Sequence, residues 1–312
     1  MSMPAKRPRK RTGPMTPLVE LQAEGAWARI APTLGGRLTS AGLLGPGGKP
    51  EHILYPYPEA QDSLLPWAKG GLFPLIPYNG RIAQARLCDD DRTIELTPHP
   101  GERHALHGIS QRRAWAVKHR SDRRVELAYL HEPDADWPWR FEAFLGISLQ
   151  PRSLLVEMQL VNRDRLAMPA GIGCHPYVPS LVGDTLTFSA QTEWSRDREF
   201  LALEPVRGSD GVRTVSDHDF GQGDTTSFHG GWNGEARLQR ADGQLLRFIA
   251  TPTLSHLVVH RPADAPYLCI EPVSHVPDGF NLSTRGVGGT GTVILRANGS
   301  LSGQLEITTA AN

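Results

Sequence analysis

Four short segments of the 312-residue chain concentrate side chains that could transfer protons or bind a polar ligand. In LCIEPVSHVPDGFN (268–281), Glu271 follows an apolar, strand-like run and precedes a proline. A carboxylate at the end of a buried strand loses solvation, which raises its pKa and makes it a usable base. A strand-end glutamate paired with an arginine is the structural alternative. His275 and Asp278 in the same segment are interpreted as loop-fixing residues.

Two further segments contain histidines. In AGIGCHPYVP (170–179), proline follows His175 and favours an extended conformation for it. His175 could be a directed general acid or simply line a turn. In HALHG (104–108), His107 could form a hydrogen bond to a ligand or transfer a proton. Alternatively, it could be a core histidine whose ring nitrogens have hydrogen-bond partners within the protein. His104 and His107 have an HxxH spacing, but no helix is indicated that would bring both to one face, so we predict that they bind no metal.

The fourth segment, PLIPYNGRIA (74–83), holds Asn79 and Arg81 directly after an apolar stretch. Arginine presents a rigid fork of donors that suits a carboxylate or two vicinal hydroxyls. A surface salt bridge would explain Arg81 equally well.

Other catalytic templates are absent from the sequence. It contains no GxSxG elbow, no GxxxxGK[ST] phosphate loop, no HExxH motif and no GxGxxG followed by a helix. We therefore predict that no cofactor takes part. Cys88, Cys174 and Cys269 form no CxxC pair, which indicates a reducing compartment, here the cytoplasm.

Charge and composition limit the class of protein. Lys and Arg number 33, as do Asp and Glu, and this zero net charge argues against a nucleic-acid-binding protein. No apolar run of about 18 residues is present, so no membrane-spanning helix is predicted. Five cations fall within residues 4–13. We predict that residues 1–14 form a disordered basic arm, with a nuclear signal or RNA-binding arm as the alternative.

The elements that must position the polar residues are predicted to be strands. Apolar and polar residues alternate over 156–160 and over 301–307. Within 236–248, Asp242-Gly243 predicts a hairpin because both residues tolerate positive φ. The chain has 32 Gly and 26 Pro, together about 19%, and no uninterrupted amphipathic helix of three turns. The sequence therefore predicts an all-β fold, one large sandwich or barrel domain over residues 15–312.

Seven motifs follow one another along the chain: GGRLTS (35–40), PYNGRIA (77–83), HALHG (104–108), WPWRFEA (137–143), HPY (175–177), DHDF (217–220) and EPVSHVPDGFN (271–281). As an ordered set they resemble the aldose 1-epimerase (galactose mutarotase) family, over roughly residues 17–309. The resemblance implies a large β-sandwich, the galactose mutarotase-like supersandwich. It also implies a metal-independent isomerase that interconverts the α and β anomers of a free aldohexose by opening and reclosing the ring.

The resemblance also implies roles for individual residues. Glu271 would be the general base, His175 the general acid and His107 a second histidine near the ring oxygen.

The sugar hydroxyls would be bound by Arg81, Asn79 and Asp217, with Asp219 as an alternative to Asp217. The sequence departs from the family pattern at Gly80, which stands between Asn79 and Arg81, where the family has the asparagine directly before the arginine.

Three other functions fit part of the pattern. A hexose-6-phosphate epimerase would need extra cations at the C6 end of the sugar, and Arg81 and Arg86 are candidates. A non-catalytic sugar-binding protein would not need both Glu271 and His175. A glycosidase or polysaccharide lyase would need paired carboxylates about 5–10 Å apart, and only Glu271 is well placed. We expect a small sugar as the partner, no nucleic acid or membrane, and a monomer or homodimer.

Overall fold

The structure, a computed structural model, describes residues 18–45, 47–58, 69–89, 92–180, 182–216, 225–263 and 265–309, with the side chains of 207–211 and 216 excepted. The predicted basic arm (1–14), Asp217 and Asp219 lie outside the described residues. Two short 3₁₀ turns and one six-residue helix, α1 (Gly279–Thr284), are the helical elements of the described part. No helix there is both long enough and apolar enough to cross a membrane.

The remaining elements are strands. In chain order they are β1 (Val19–Ala23), β2 (Ala26–Ala31), β3 (Arg37–Leu44), β4 (Pro50–His52), β5 (Leu72–Leu75), β6 (Arg81–Ile82), β7 (Arg86–Asp89), β8 (Arg92–Glu95), β9 (Ala105–Leu106), β10 (Ala116–Arg120), β11 (Arg124–His131), β12 (Phe141–Gln150), β13 (Ser153–Asn162), β14 (Met168–Ala170), β15 (Gly173–Pro179), β16 (Thr185–Arg196), β17 (Ala202–Ser216), β18 (Thr225–Gly230), β19 (Glu235–Gln239), β20 (Leu245–Ala250), β21 (His256–Arg261), β22 (Tyr267–Val273), β23 (Val293–Leu295) and β24 (Ser300–Thr309). The expectation of an all-β fold is confirmed.

Antiparallel pairing joins eighteen of these strands into one hydrogen-bonded system. One layer runs β10-β11-β12-β13-β24-β20-β19, and the other runs β1-β2-β3-β5-β15-β22-β21-β18. The long strand β16 connects the two layers, since its first half pairs with β19 and its second half with β18.

The predicted strand patterns agree with the observed register. The alternation at 156–160 lies in β13, where Val156, Met158 and Leu160 are buried, and β13 pairs with β24. The Asp242-Gly243 hairpin joins β19 to β20, and Gly243 has φ +92°. The apolar residues of both layers form one continuous core, which includes Ile30, Phe141 and Leu305. This core supports the sheet whose opposite face carries the polar residues.

Candidate active site

The register of β15 and β22 brings His175 and Glu271 together. Gly173 pairs with Val273 and Tyr177 with Cys269, so His175 and Glu271 occupy facing positions midway between these pairs. The His175 Nε2 atom lies 3.4 Å from the Glu271 Oε1 atom. Strand alternation turns both side chains to the same face. Two segments nearly a hundred residues apart in sequence therefore place an imidazole against a carboxyl group.

Aromatic rings fix the plane of the His175 imidazole. Tyr177 stacks on it with centroids 4.6 Å apart and an interplanar angle of 11°. Phe73 of β5, which pairs with His175 across the strands, lies at 4.8 Å. These two contacts restrict the rotation of the imidazole, whose Nε2 atom faces Glu271. The His107 ring meets that of His175 edge-on at 5.1 Å.

The backbone of a tight loop holds His107. His107 has φ +58° and Gly108 φ +67°, and a Cβ on Gly108 would lie 2.2 Å from the Ile76 carbonyl oxygen. Glycine is therefore required at position 108. The backbone N–H of Gly80 donates to His107 Nδ1 at 3.2 Å. Since Nδ1 accepts, the neutral imidazole carries its proton on Nε2 and can donate from there.

A cavity of about 530 Å³ includes His107, His175, Glu271 and Arg81 in its lining. Four residues that sequence reasoning named therefore converge on one site. The lining adds side chains that sequence reasoning missed: an aromatic group of Tyr177, Phe200, Phe228 and Tyr267, and a polar group of Lys69, His99, Glu102 and His260.

The strand register explains part of that addition. Phe228 and Thr226 of β18 pair with Val258 and His260 of β21, and Val258 pairs in turn with Glu271. Alternate residues of neighbouring strands thus share the face of Glu271. A wider groove of about 870 Å³ lies along β1 and β2, but its lining contains none of the predicted site residues.

Burial determines the electrostatics of the pair. Glu271 is 4% exposed, and burial raises its pKa from 4.5 to about 8, although Lys69 and Arg81 oppose the rise. Burial lowers the pKa of His175 well below 6.5, with further lowering by His107 and Lys69. At the 3.4 Å contact, burial therefore favours a protonated carboxyl group beside a neutral imidazole over an ion pair.

Asn79, which the resemblance expects to bind the sugar, is buried and is not among the residues that line the cavity. Its Nδ2 atom donates to the His275 carbonyl oxygen at 2.6 Å, and its backbone N–H donates to His275 Nε2 at 3.3 Å. Gly80 separates Asn79 from Arg81, so the side chain that the family pattern places beside the arginine contacts the loop after β22 instead. We assign Asn79 a loop-holding role.

His275 and Asp278 have the loop-fixing roles expected of them. The His275 Nδ1 atom donates to the Val276 carbonyl oxygen at 2.8 Å. Asp278 Oδ1 accepts from the backbone of Ala83 at 3.0 Å and from the Asn281 amide at 2.6 Å. The bond from Ala83 fastens the segment after β22 to the chain that directly follows β6 and Arg81.

The HxxH histidines do not converge. His104 Nδ1 accepts from the Gln84 backbone at 2.9 Å, whereas His107 Nδ1 accepts from Gly80. Among the described residues, the group whose ligand atoms could meet at a metal ion is His175, Cys269 and Glu271, all within 4.8 Å of one another. Burial raises the pKa of the Cys269 thiol well above 9.0, so the thiol would have to lose its proton on binding a metal.

Comparisons with known proteins cover nearly the whole chain. The family model for aldose 1-epimerase matches residues 17–308. The uncharacterized protein YphB of Escherichia coli is 27% identical over 236 residues, which are 69% of this chain and 79% of that protein.

Solved structures show the same fold at low identity. A putative aldose 1-epimerase from E. coli has a TM-score of 0.79 at 21% identity and covers 95% of this chain and 99% of its own. A GalM/aldose epimerase homologue from Caenorhabditis elegans has a TM-score of 0.77 at 15% identity, with 94% and 98% covered. A galactose 1-epimerase from Lactobacillus acidophilus has a TM-score of 0.71 at 14% identity, with 98% and 97% covered.

Proposed function

Since the chain belongs to the aldose 1-epimerase family, we propose that it interconverts the α and β anomers of an unphosphorylated aldohexose. The observation that carries the proposal is the 3.4 Å contact between His175 Nε2 and Glu271 Oε1 on the wall of a sugar-sized cavity. The exocyclic O1 and the ring oxygen O5 are bonded to the same carbon, C1. The two groups that serve them must therefore lie close together, as His175 and Glu271 do.

The proposed reaction is a proton exchange around C1. The Glu271 carboxylate takes the proton of O1 while the His175 imidazolium gives a proton to O5. The C1–O5 bond breaks and C1 becomes an aldehyde carbon, which rotates about the C1–C2 bond. The ring recloses from the other face as Glu271 returns its proton to O1 and His175 recovers one from O5. No proton is gained or lost over the cycle.

His107 supports this exchange as a neutral donor. Its Nδ1 accepts from Gly80, so its Nε2–H is available for the ring oxygen. Burial and the neighbouring Arg81 charge lower its pKa well below 6.5, which keeps it neutral. A neutral imidazole can hold a developing charge by a hydrogen bond without competing for the proton that His175 delivers.

The alternatives fit the cavity less well. Arg86, considered as a phosphate-binding cation, pairs with Glu95 at 2.8 Å and does not line the cavity. A binding protein gains nothing from burying Glu271, because burial of an ionisable group costs stability. A glycosidase would need a second free carboxyl group, and Glu102 is paired with Arg81 at 3.1 Å.

The location that we propose is the cytoplasm. The three cysteines, all within the described residues, are unpaired, which agrees with a reducing compartment.

Polarimetry tests the proposed activity. Freshly dissolved α-D-glucose and α-D-galactose should mutarotate faster with the protein, and glucose 6-phosphate should not. Glu271→Gln should lower the rate by about 10²–10⁴-fold, the usual contribution of a general base. Glu95→Gln, which breaks an exposed ion pair outside the cavity, is the matched control. A Glu271→Gln rate within about threefold of wild type, well under that range, would contradict the assignment.

A further inference from the structure

A second part of the cavity wall is built by two loops that contain no member of the acid–base pair. One is the loop of residues 99–104 before β9, and the other is the turn of residues 197–201 between β16 and β17. Glu102 comes from the first and Phe200 from the second, and both line the cavity beside Arg81.

The Arg81 side chain is held between these two residues. Its Nη2 atom donates to Glu102 Oε1 at 3.1 Å, and its Cζ atom lies 5.1 Å from the centroid of the Phe200 ring. The side chains of Arg81 and Glu102 are 19% and 34% exposed. The guanidinium and the carboxylate are thus oriented but still reachable from the cavity.

The turn that carries Phe200 is fastened on two sides. Asp197 Oδ1 accepts from the backbone N–H groups of Glu199 at 2.8 Å and Leu201 at 3.0 Å. Glu199 forms an ion pair with Arg103 and lies 3.5 Å from His104 Nε2, which ties the turn to the first loop.

Phe200 itself has φ +61°, a conformation that a bulky side chain adopts only where its surroundings impose it. The Arg196 guanidinium also lies 5.0 Å from its ring. The fold therefore tolerates backbone strain at the residue that keeps this ring in the cavity wall.

We propose that Glu102 and Phe200 extend the hydroxyl contact expected of Arg81 into a subsite for two adjacent ring hydroxyls of the sugar. A hydroxyl group both donates and accepts, so one hydroxyl can accept from the guanidinium while its neighbour donates to the carboxylate. Phe200 is the positioning residue that orients Arg81, and its ring edge gives the sugar's C–H groups an apolar surface. This proposal rests on the proposed function. It concerns the part of the sugar away from C1, which the acid–base pair does not bind.

The same pairing selects against a phosphorylated sugar at this position. A phosphate group would be attracted to Arg81 but repelled by Glu102, whose carboxylate already balances the guanidinium charge. Neutral hydroxyls satisfy both partners without bringing a further charge. The subsite therefore defines the substrate class as an aldose that is not phosphorylated at the end bound here.

A cycle between enzyme variants and deoxy sugars tests the subsite. Catalytic efficiency (kcat/KM) is measured on glucose and on four analogues, each lacking one hydroxyl group, with wild type, Glu102→Gln and Glu95→Gln. The last variant is the control, because it alters a comparable Arg–Glu pair outside the cavity. Wild type should lose about tenfold or more for the analogues that lack a bound hydroxyl, the range for a hydrogen bond to a charged group. In Glu102→Gln one of those analogues should show a smaller further loss, because its hydroxyl there donates to a neutral amide oxygen instead of a charged carboxylate.

The aromatic positioning role has its own test. Phe200→Leu should raise KM about tenfold with little change in kcat, as loss of uniform binding does, while Phe200→Tyr should restore KM. Phe144→Leu, on the distant strand β12, controls for a general Phe-to-Leu effect. A kcat loss as large as the KM rise, or no rescue by tyrosine, would overturn the positioning role.

Two outcomes separate this proposal from the proposed function. If wild type does not mutarotate any aldose, the proposed function fails, but calorimetric titration of glucose into Glu271→Gln and Glu271→Gln/Glu102→Gln still tests the subsite. Tenfold weaker binding to the double variant supports it, and equal binding overturns it. If wild type is active but Glu102→Gln has the same kcat/KM for every deoxy sugar, the subsite proposal is wrong. It is also wrong if glucose 6-phosphate is the preferred substrate and its kcat/KM depends on Arg81.

Discussion

Replacing Glu271 by glutamine should stabilise the protein at neutral and alkaline pH while removing its proposed activity. Burial raises the pKa of Glu271 from 4.5 to about 8. In the unfolded chain the carboxyl group ionises near its ordinary pKa, whereas in the folded protein it keeps its proton up to about pH 8. The stability that the protonated form gives is thus fully present below pH 4.5 and is lost as pH rises towards 8. Glutamine does not ionise and avoids this loss.

The magnitude follows from the difference between the two pKa values. One pKa unit corresponds to about 1.4 kcal/mol, so the full penalty approaches about 5 kcal/mol above pH 8. The penalty should be about 1 kcal/mol at pH 5 and about 3 kcal/mol at pH 7. The contact of residue 271 with His175 contributes little pH dependence at pH 7 and above, because burial lowers the pKa of His175 well below 6.5 and keeps the imidazole neutral there. The pH-dependent part of the difference therefore reports mainly on Glu271.

Denaturant unfolding of wild type and Glu271→Gln at pH 5, 7 and 9 measures this difference. The gap in free energy of unfolding should widen by about 4 kcal/mol in favour of the variant between pH 5 and 9. Glu24→Gln, which removes an exposed carboxylate from the turn between β1 and β2, is the control and should show no such widening. A gap that changes by less than about 1 kcal/mol would show that Glu271 is not desolvated and would refute the reasoning.

Three further predictions concern the neighbours of Glu271. His175→Asn should lower kcat far more than it changes KM, because asparagine cannot deliver a proton. His107→Asn should lower kcat less, because asparagine keeps a hydrogen-bond donor. If steady-state kinetics give the larger kcat loss for His107→Asn, the two roles are reversed. Dialysis against a chelator should leave the rate unchanged, and a loss restored by zinc would instead assign a metal to His175, Cys269 and Glu271. Asn79→Ala should lower the free energy of unfolding by about 1–3 kcal/mol, because the hydrogen bond from Asn79 to the His275 carbonyl oxygen is buried. The KM of this variant should stay near that of wild type. A large rise in KM without destabilisation would show that Asn79 binds the sugar.

The fold could be predicted because it depends on local signals, whereas the roles of His175 and Glu271 were expected from the family resemblance. Period-2 alternation identified strands such as β13, and Asp242-Gly243 identified the β19–β20 hairpin. His175 and Glu271 could be singled out because each lies in a strand and is followed by a proline. Their contact could not be derived from the sequence, because it depends on a register between β15 and β22 that no local pattern specifies.

The rest of the site depends on contacts between distant loops. Phe200 and Glu102 are an ordinary phenylalanine and glutamate in sequence, and the ion pair of Glu199 with Arg103 brings their loops together. Asn79 contrasts with Phe200 and Glu102: its motif predicted a sugar contact, but its side chain does not line the cavity. The glycine that follows it changes the direction of the chain at φ +62°, and the Asn79 amide is directed to His275. Side-chain direction in such loops is set by backbone dihedrals that residue types only partly determine.

The protonation that burial favours in Glu271 and His175 corresponds to the middle of the proposed reaction, not its start. Burial places the proton on Glu271 and leaves His175 neutral, since it penalises the charged form of each. Ring opening begins from the opposite arrangement, with a carboxylate and an imidazolium, and ends with the proton of O1 on Glu271 and a neutral His175. The neutral pair is therefore the form that accompanies the open-chain aldehyde. Compared with the charged pair that starts ring opening, the buried site therefore favours the neutral pair that accompanies the aldehyde. The same desolvation destabilises the folded protein as pH rises from 4.5 towards 8.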